Sequence, residues 1–278
     1  MRQGLRAGQG GRSHIALSGH LGELLQGRLG PRGPVALLTL PCPTFRLHGF
    51  WRPGAFALHQ PSRPVLTRAQ AAGLLHALHL PLSGQFTLRA DMPLGGGAGS
   101  STAALVAVAR LAGHPADKAR ELALATIAIE GASDPLMFSN PAGLLWASRL
   151  GRILSLLPPL PPIEVLGGFY GPVSRTDPMD DTFPDISDLA AALPTALKKA
   201  ASLADLARES ARRSLASRSY GADPTDMLAT ELGALGYALG HTGPARALIF
   251  TPGTIPANAK AALLEAGFRQ LAHFRPGS

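Results

Sequence analysis

The sequence predicts an α+β fold in two parts, and three observations carry that expectation. The first is a strand-like segment, Gln85-Phe-Thr-Leu-Arg-Ala90, that runs through a glycine-rich loop into a helix apolar nearly all round. The second is Pro158-Pro159-Leu160-Pro161-Pro162, the sharpest punctuation in the chain, which separates an N-terminal part (1–157) from a C-terminal part (158–278). The third is the alternation of strands and helices beyond it, which reads as a split sheet with helices on one side. A chain of 278 residues, 46% of them hydrophobic, is long enough to bury the core such a fold needs.

Taken in order, residues 1–12 are rich in Gly and Arg and are expected to form a disordered tail. His14–Leu17 reads as a short strand entering a loop, Ser18-Gly-His-Leu-Gly-Glu-Leu-Leu-Gln-Gly27. Val35–Leu40 is a second strand, closed by Pro41-Cys42-Pro43, and Arg46–Phe50 and Ala55–His59 follow as further strands. Thr67 is placed to cap a helix that runs to Leu80 and stops at Pro81. His76 and His79 lie three apart on that helix, but no third ligand accompanies them, and they read as surface and core residues. The helix Ser101–Ala112 should be buried, and a second helix runs from Ala116 to Ile129. Gly143–Ser148 and Arg152–Leu156 form a hairpin about Gly151. The C-terminal part reads as a strand (Ile163–Leu166), a polar loop (Val173–Asp188), helical segments over 189–219 and a helix Thr225–Leu239. A strand (Ala245–Phe250), a helix (Pro256–Ala266) and a last strand (Phe268–Phe274) complete it.

Composition narrows the function. A single cysteine, Cys42, excludes an internal disulfide and a cysteine-built zinc site, and fits a reducing compartment. The N-terminus has no apolar signal core and no apolar run reaches the roughly 18 residues of a membrane span, so a cytoplasmic protein without membrane contact is expected. The net charge of +8 comes from arginines spread along the chain, and no aromatic residues interleave with a basic stripe. A nucleic-acid partner is therefore not expected, while a basic surface suits a polyanionic nucleotide.

The stretch with most chemical content is Asp91-Met-Pro-Leu-Gly-Gly-Gly-Ala-Gly-Ser-Ser-Thr102. A strand, a glycine loop and a helix N-terminus present backbone N–H groups and a positive dipole end to an anion. Ser100, Ser101 and Thr102 stand at the helix entrance, where one hydroxyl can cap the helix and another can reach a metal or phosphate. No lysine lies near this loop, which excludes the Walker pattern. The dinucleotide spacing fails as well, because its third glycine position holds Ser100 or Thr102. Glu130 closes an apolar helix where its charge faces the negative end of the dipole, so it either meets a cation or is solvated at a frayed end. Magnesium takes one or two protein oxygens beside phosphate and water, and Ser101 and Glu130 are the candidate pair. Asp134, before Pro135, is either a base for a substrate hydroxyl or a helix N-cap. Gly240-His-Thr-Gly243 is a tight turn whose glycines let backbone approach a ligand.

Pro-x-x-x-Gly-x-Gly-Ser-Ser-x-Ala, from Pro93 to Ala103, resembles the nucleotide-binding motif of the GHMP kinases (galactokinase, homoserine kinase, mevalonate kinase and relatives). The Gly-Glu loop at 19–27 and the glycine turn at 240–243 resemble two other segments of that family, in the same order. Glu130-Gly-x-x-Asp134 is similar to the segment that supplies a magnesium glutamate and a nearby aspartate in homoserine kinases. Gly22-Glu-Leu-Leu-Gln-Gly27, with Pro41-Cys42-Pro43 and Ser100–Ala103, resembles the L-threonine kinases of cobalamin synthesis and propanediol utilisation.

The resemblance implies an N-terminal domain like ribosomal protein S5, a ferredoxin-like C-terminal α+β sandwich, and an ATP- and magnesium-dependent phosphorylation of a small alcohol. L-threonine is the expected acceptor and homoserine the nearest alternative; a non-catalytic regulator that binds nucleotide or metabolite is a third possibility. It implies nucleotide binding by Pro93, Gly95, Gly96, Gly97, Ala98, Gly99, Ser100, Ser101 and Thr102, and a metal on Ser101 and Glu130. Asp134 and Ser101 would serve catalysis, and His20, Glu23, Gln26, Thr242 and Gly243 would touch substrate, with Glu23 suited to an ammonium group. A monomer or homodimer is expected. Asp134 is followed by proline where homoserine kinases have asparagine, and the segment Arg175–Thr182 matches no part of the family pattern.

Overall fold

The structure, a computed structural model, describes residues 6–7, 11–173, 179–218, 222–240 and 243–277. β1 (Arg6–Ala7) pairs antiparallel with the start of β2 (Ser13–Arg28), Arg6 opposite His14, so part of the stretch expected as a tail belongs to the sheet. β2 lies antiparallel to β3 (Val35–Ala55) along most of its length.

Two expectations are corrected in this ladder. Residues 18–27 are not a loop; β2 continues through them by way of register shifts after Ser18, between His20 and Glu23, and between Glu23 and Leu25. Pro41 and Pro43 do not close β3 either. Ser18 opposes Arg46 and Gly19 opposes Cys42, so Pro43, Thr44 and Phe45 bulge out of the ladder. On its other edge β3 meets β6 (Leu144–Ala147) only at Ala36 and Leu37, and β5 (Ser83–Ala90) only from Leu47 onward. The prolines thus sit where a missing N–H breaks no ladder bond.

Beyond β3, β4 (Ala57–His59) pairs parallel with β5. Between them, α1 (Arg68–Ala77) opens with a capping box in which Thr67 Oγ1 accepts from the Gln70 N–H at 3.1 Å and Gln70 Oε1 accepts from the Thr67 N–H at 2.9 Å. His76 and His79 are both exposed. α2 (Ser100–Leu111) is buried at Ser100 and at every residue from Thr102 to Leu111, and lies on β2 and β3. A 3-10 turn (Ala116–Lys118) leads into α3 (Ala119–Glu130), and β6 forms the expected hairpin with β7 (Arg152–Leu156).

The C-terminal part holds β8 (Glu164–Phe169), α4 (Ser187–Ala196), α5 (Ala200–Arg218) and α6 (Thr225–Glu231), then β9 (Gly236–Leu239), β10 (Ala245–Phe250), α7 (Ala259–Glu265) and β11 (Arg269–Phe274). The spatial order β11-β8-β10-β9 is that of a split β-α-β unit. Residues 225–239, expected as one helix, are a helix and a strand. Gly233 takes φ 68° and ends α6, and a Cβ at Gly236 would lie 2.2 Å from the Ala204 carbonyl oxygen, so that strand runs against the α5 backbone. Ala211, Leu228, Tyr237, Phe250 and Leu263 pack together between these helices and strands. β9 meets β2 at Glu23–Leu239, which makes the sheet continuous from β11 to β4. Of the polar loop 173–188, residues 174–178 lie outside the described residues. Among the described residues no helix is long and apolar enough to cross a membrane.

Candidate active site

The glycine loop is held from two sides. On one, the His20 N–H donates to the Ala98 carbonyl at 3.2 Å, and a Cβ at Gly19 would lie 2.5 Å from that same oxygen. On the other, the Ala245 N–H donates to the Gly96 carbonyl at 3.1 Å, and a Cβ at Gly243 would lie 2.4 Å from the Gly96 carbonyl carbon. Thr242 lies outside the described residues. Gly95, Gly97 and Gly99 all take positive φ (67°, 72° and 73°), which no side-chain-bearing residue adopts without strain. Gly99 is the N-cap of α2, and no side chain caps it, so the expected hydroxyl cap is absent. The start of α2 therefore offers backbone donors to an anion.

Gly95, Gly97, Ala98, Gly99, Ser100, Ser101 and Thr102 line a cleft of about 400 Å³, together with His20, Glu130, Ser133, Asp134 and Ser148. Pro93 and Gly96 shape the loop without lining the cleft: the Pro93 carbonyl accepts from the Gly96 N–H at 3.4 Å.

Across the cleft from α2, α3 ends at Glu130 with Gly131 in the left-handed region (φ 78°) and no basic residue in its last turn. Ser101 Oγ donates to the Glu130 carboxylate, bringing together two hard oxygens at the foot of the glycine loop. The next segment is fixed by its backbone. The Ser133 N–H donates to the Ser148 carbonyl at 3.0 Å, Trp146 Nε1 donates to the Ser133 carbonyl at 2.7 Å, and the Asp134 N–H donates to Thr102 Oγ1 at 3.3 Å. Asp134 caps no helix; the chain after Pro135 makes a turn in which the Phe138 N–H donates to the Pro135 carbonyl at 3.1 Å.

Asp134 instead faces His20. Its Oδ2 lies 3.4 Å from His20 Nε2, and His20 Nδ1 lies 3.4 Å from Glu23 Oε1, so one buried imidazole stands between two carboxylates. In a regular strand residues 20 and 23 point to opposite faces. Here the extra residue in β2 between the His20–Pro41 and Glu23–Thr39 pairs, at Gly22 with φ 81°, puts both side chains on one side. Burial opposes charge on His20, but Asp134 and then Glu23 outweigh it and lift its pKa to about 9. Burial pushes Glu23 up to about 8 against the pull of His20. The two groups titrate as a coupled pair, and the direction for both is upward.

Two of the residues expected to touch substrate do not line this cleft. Glu23 is buried, does not line the cleft and meets it only by its contact with the His20 imidazole. Gln26 donates from Nε2 to the Leu239 carbonyl at 3.0 Å, and its backbone N–H donates to Ser210 Oγ at 2.9 Å; its side chain ties β2 to β9. Sequence reasoning missed one wall entirely, formed by Pro64–Thr67 and Gln70. Gln60 shapes it: its Oε1 accepts from the Val65 and Leu66 N–H groups at 2.7 and 3.1 Å, and its Nε2 donates to the Leu66 carbonyl at 2.7 Å. A glutamine followed by Pro61 and Pro64 was the available signal, and only tertiary contact gives it meaning.

A scan against protein-family models finds no match, and a search of curated proteins finds none. Solved structures do resemble the chain over nearly its whole length. Mevalonate kinase from methicillin-resistant Staphylococcus aureus shares 15% identity, covers 96% of this chain and 99% of its own, and superposes with a TM-score of 0.61. Homoserine kinase from Cytophaga hutchinsonii shares 12% identity over 99% of this chain and 96% of its own, with a TM-score of 0.57. A 4-(cytidine 5'-diphospho)-2C-methyl-D-erythritol kinase shares 19% identity over 95% and 99%, with a TM-score of 0.58. At these identities the likeness concerns architecture, and with the split C-terminal sheet and the glycine loop ahead of α2 it establishes that this chain has the GHMP-kinase fold.

Proposed function

We propose that the protein is an ATP- and magnesium-dependent kinase of a small alcohol, with L-threonine the acceptor that its motifs favour. One observation carries the reading: the glycine loop with Ser101, and the stretch from Glu130 to Asp134 about thirty residues on, converge on one cleft. Phosphoryl transfer needs little more than a grip on the nucleotide, charge neutralisation and an oriented nucleophile.

In this arrangement residues 1–157 supply the nucleotide grip, through the backbone of residues 95–99 and the uncapped start of α2. The turn at Gly243, from residues 158–278, holds the loop in shape. Ser101 and Glu130 offer the hard-oxygen donors that magnesium prefers, and the ion there would neutralise the nucleotide's phosphates. Asp134 accepts the proton of the acceptor hydroxyl as its oxygen bonds to the γ-phosphorus of ATP and the bond from that phosphorus to the bridging oxygen breaks, with ADP leaving. His20, 3.4 Å away and favoured in its protonated form, holds the Asp134 carboxylate oriented before that step. The preference for threonine rests on Gly22–Gly27 and on Ser100–Ala103.

The test is ADP release with magnesium across L-threonine, L-serine, L-homoserine, mevalonate and galactose. Turnover highest with threonine is expected. Turnover with another alcohol alone refutes the acceptor, and ATP binding without ADP release from any of them refutes the kinase in favour of a nucleotide-binding regulator.

A further inference from the structure

Among the described residues that line the cleft there is no lysine or arginine, and His20 is already engaged by two carboxylates. An acceptor carrying a negative group finds its counter-charge just beyond the cleft. Arg28 at the end of β2, Arg149 in the β6–β7 turn and Arg218 at the end of α5 converge on one ring, with their guanidinium carbons 6.0, 5.1 and 5.2 Å from the centroid of Phe183. Two carboxylates face these three cations. Asp181 pairs with Arg28 and lies 3.8 Å from Arg149, and Asp180 lies 2.9 Å from Arg218.

The cluster borders the cleft. Arg28 opposes Val35, two residues along β3 from Leu37, which lines the cleft; two residues of strand span about 7 Å. Arg149 follows Ser148, which also lines the cleft and holds Ser133, the neighbour of Asp134. The exposures have a direction. The arginine side chains are recessed, at 19%, 22% and 12%, whereas Asp181 is 75% exposed at the rim. A dissolved anion approaches from the side that Asp181 now occupies, and the planar guanidinium fork suits carboxylate and phosphate oxygens alike.

We propose that Arg28, Arg149 and Arg218 form the receptor for an oxyanion, carboxylate or phosphate, on the acceptor substrate, and that Asp181 occupies it in competition until substrate arrives. The inference rests on the kinase reading for its substrate. It makes the acceptor an anionic alcohol, and it gives a role to the acidic segment around residues 180–183.

The experiment titrates the full chain with acetate and, separately, with inorganic phosphate by calorimetry, in the wild type, Asp181→Asn and Arg149→Gln. Neither substitution touches the glycine loop, so a difference between variants reports this cluster even though phosphate also binds the loop. Asp181→Asn is expected to bind at least one of the two anions about fivefold or more tightly, and Arg149→Gln to lose a similar factor. The anion that responds identifies the group as carboxylate or phosphate. A gain on removing a carboxylate is not an effect that misfolding produces, and the matching loss in Arg149→Gln places it at this cluster. Equal affinities in wild type and Asp181→Asn overturn the proposal and leave the kinase reading intact. The expected shifts in a protein that releases no ADP with any alcohol would instead remove the kinase reading and leave an anion site.

Discussion

Asp134→Asn separates charge from shape at the centre of the site. The contacts that fix this segment are made by backbone: Asp134 N–H to Thr102 Oγ1 at 3.3 Å, Ser133 N–H to the Ser148 carbonyl at 3.0 Å, and the Ser133 carbonyl to Trp146 Nε1 at 2.7 Å. None of them needs the carboxylate. What is lost is the 3.4 Å contact with His20 Nε2. Two unit charges at that separation interact by about 5 kcal/mol at an effective dielectric near 20, before solvation returns most of it. Losing a hydrogen bond to a charged group typically costs about 1.5–3 kcal/mol. For a chain of this size that corresponds to roughly 3–12 °C in Tm, since each kcal/mol moves Tm by about 2–4 °C. The kinetic effect is larger. Loss of a general base lowers kcat by about 10²–10⁴-fold, while KM for ATP should change little because the glycine loop is untouched. The alkaline limb of the rate should also move below pH 9, since Asp134 is the larger of the two carboxylate influences that raise His20. Steady-state kinetics from pH 6 to 10 with parallel thermal melts measures all three. A variant with kcat within threefold of wild type, whatever its Tm, would falsify the role of Asp134 as base.

Glu130→Gln should abolish magnesium-dependent turnover yet leave Tm unchanged or slightly raised, because a neutral side chain at the end of α3 removes about 0.3–1 kcal/mol of unfavourable interaction with the helix dipole. A Tm drop of several degrees would make Glu130 structural. Gly243→Ala places a Cβ 2.4 Å from the Gly96 carbonyl carbon, so the loop is displaced and KM for ATP rises, by about tenfold or more for a loss above about 1.4 kcal/mol. Unchanged nucleotide affinity would show that the turn does not set the loop. His20 and Glu23 both bind their protons more tightly folded than unfolded, from ordinary values of 6.5 and 4.5 to about 9 and about 8. Their stabilisation is therefore complete below about pH 4.5 and declines as pH rises through 8–9. Melts of wild type and His20→Gln between pH 6 and 10 should show the steeper decline in wild type, and parallel curves would contradict the raised pKa of His20.

Periodicity was enough for elements whose partners are local. The β6–β7 hairpin and the buried α2 lie within a residue of their expected bounds, and α1 keeps its Thr67 cap but ends at Ala77, three residues short of Leu80. It failed where a distant chain decides the conformation. Residues 18–27 carry glycines at 19, 22 and 27 that look like loop punctuation. Gly19 is a glycine because the Ala98 carbonyl approaches it, and Gly22 because the Leu239 backbone does. Both neighbours are remote in sequence, so the glycines mark close crossings inside a sheet rather than an exit from it. Gly236 is the same case against Ala204, in a stretch whose leucines and alanines otherwise favour the helix expected there.

The residues that line the cleft were legible as types but not as directions. Ser101, Glu130 and Asp134 are identifiable from the chain because each sits at an element boundary, where a polar side chain has a local reason to be noticed. The relation between His20 and Glu23 has no such signature. A spacing of three places two strand residues on opposite faces, and only the extra residue beside Gly22 reverses that parity. The bulge therefore decides more than the path of β2. Without it Glu23 would leave the imidazole, His20 would keep one carboxylate instead of two, and the buried ring would have less to hold its proton against burial. Asp134 would then face a less firmly protonated imidazole beside the glycine loop. The Gly22–Gly27 run, expected as a loop, is the irregularity that brings Glu23 to the imidazole that also meets Asp134, a residue contributed by another segment.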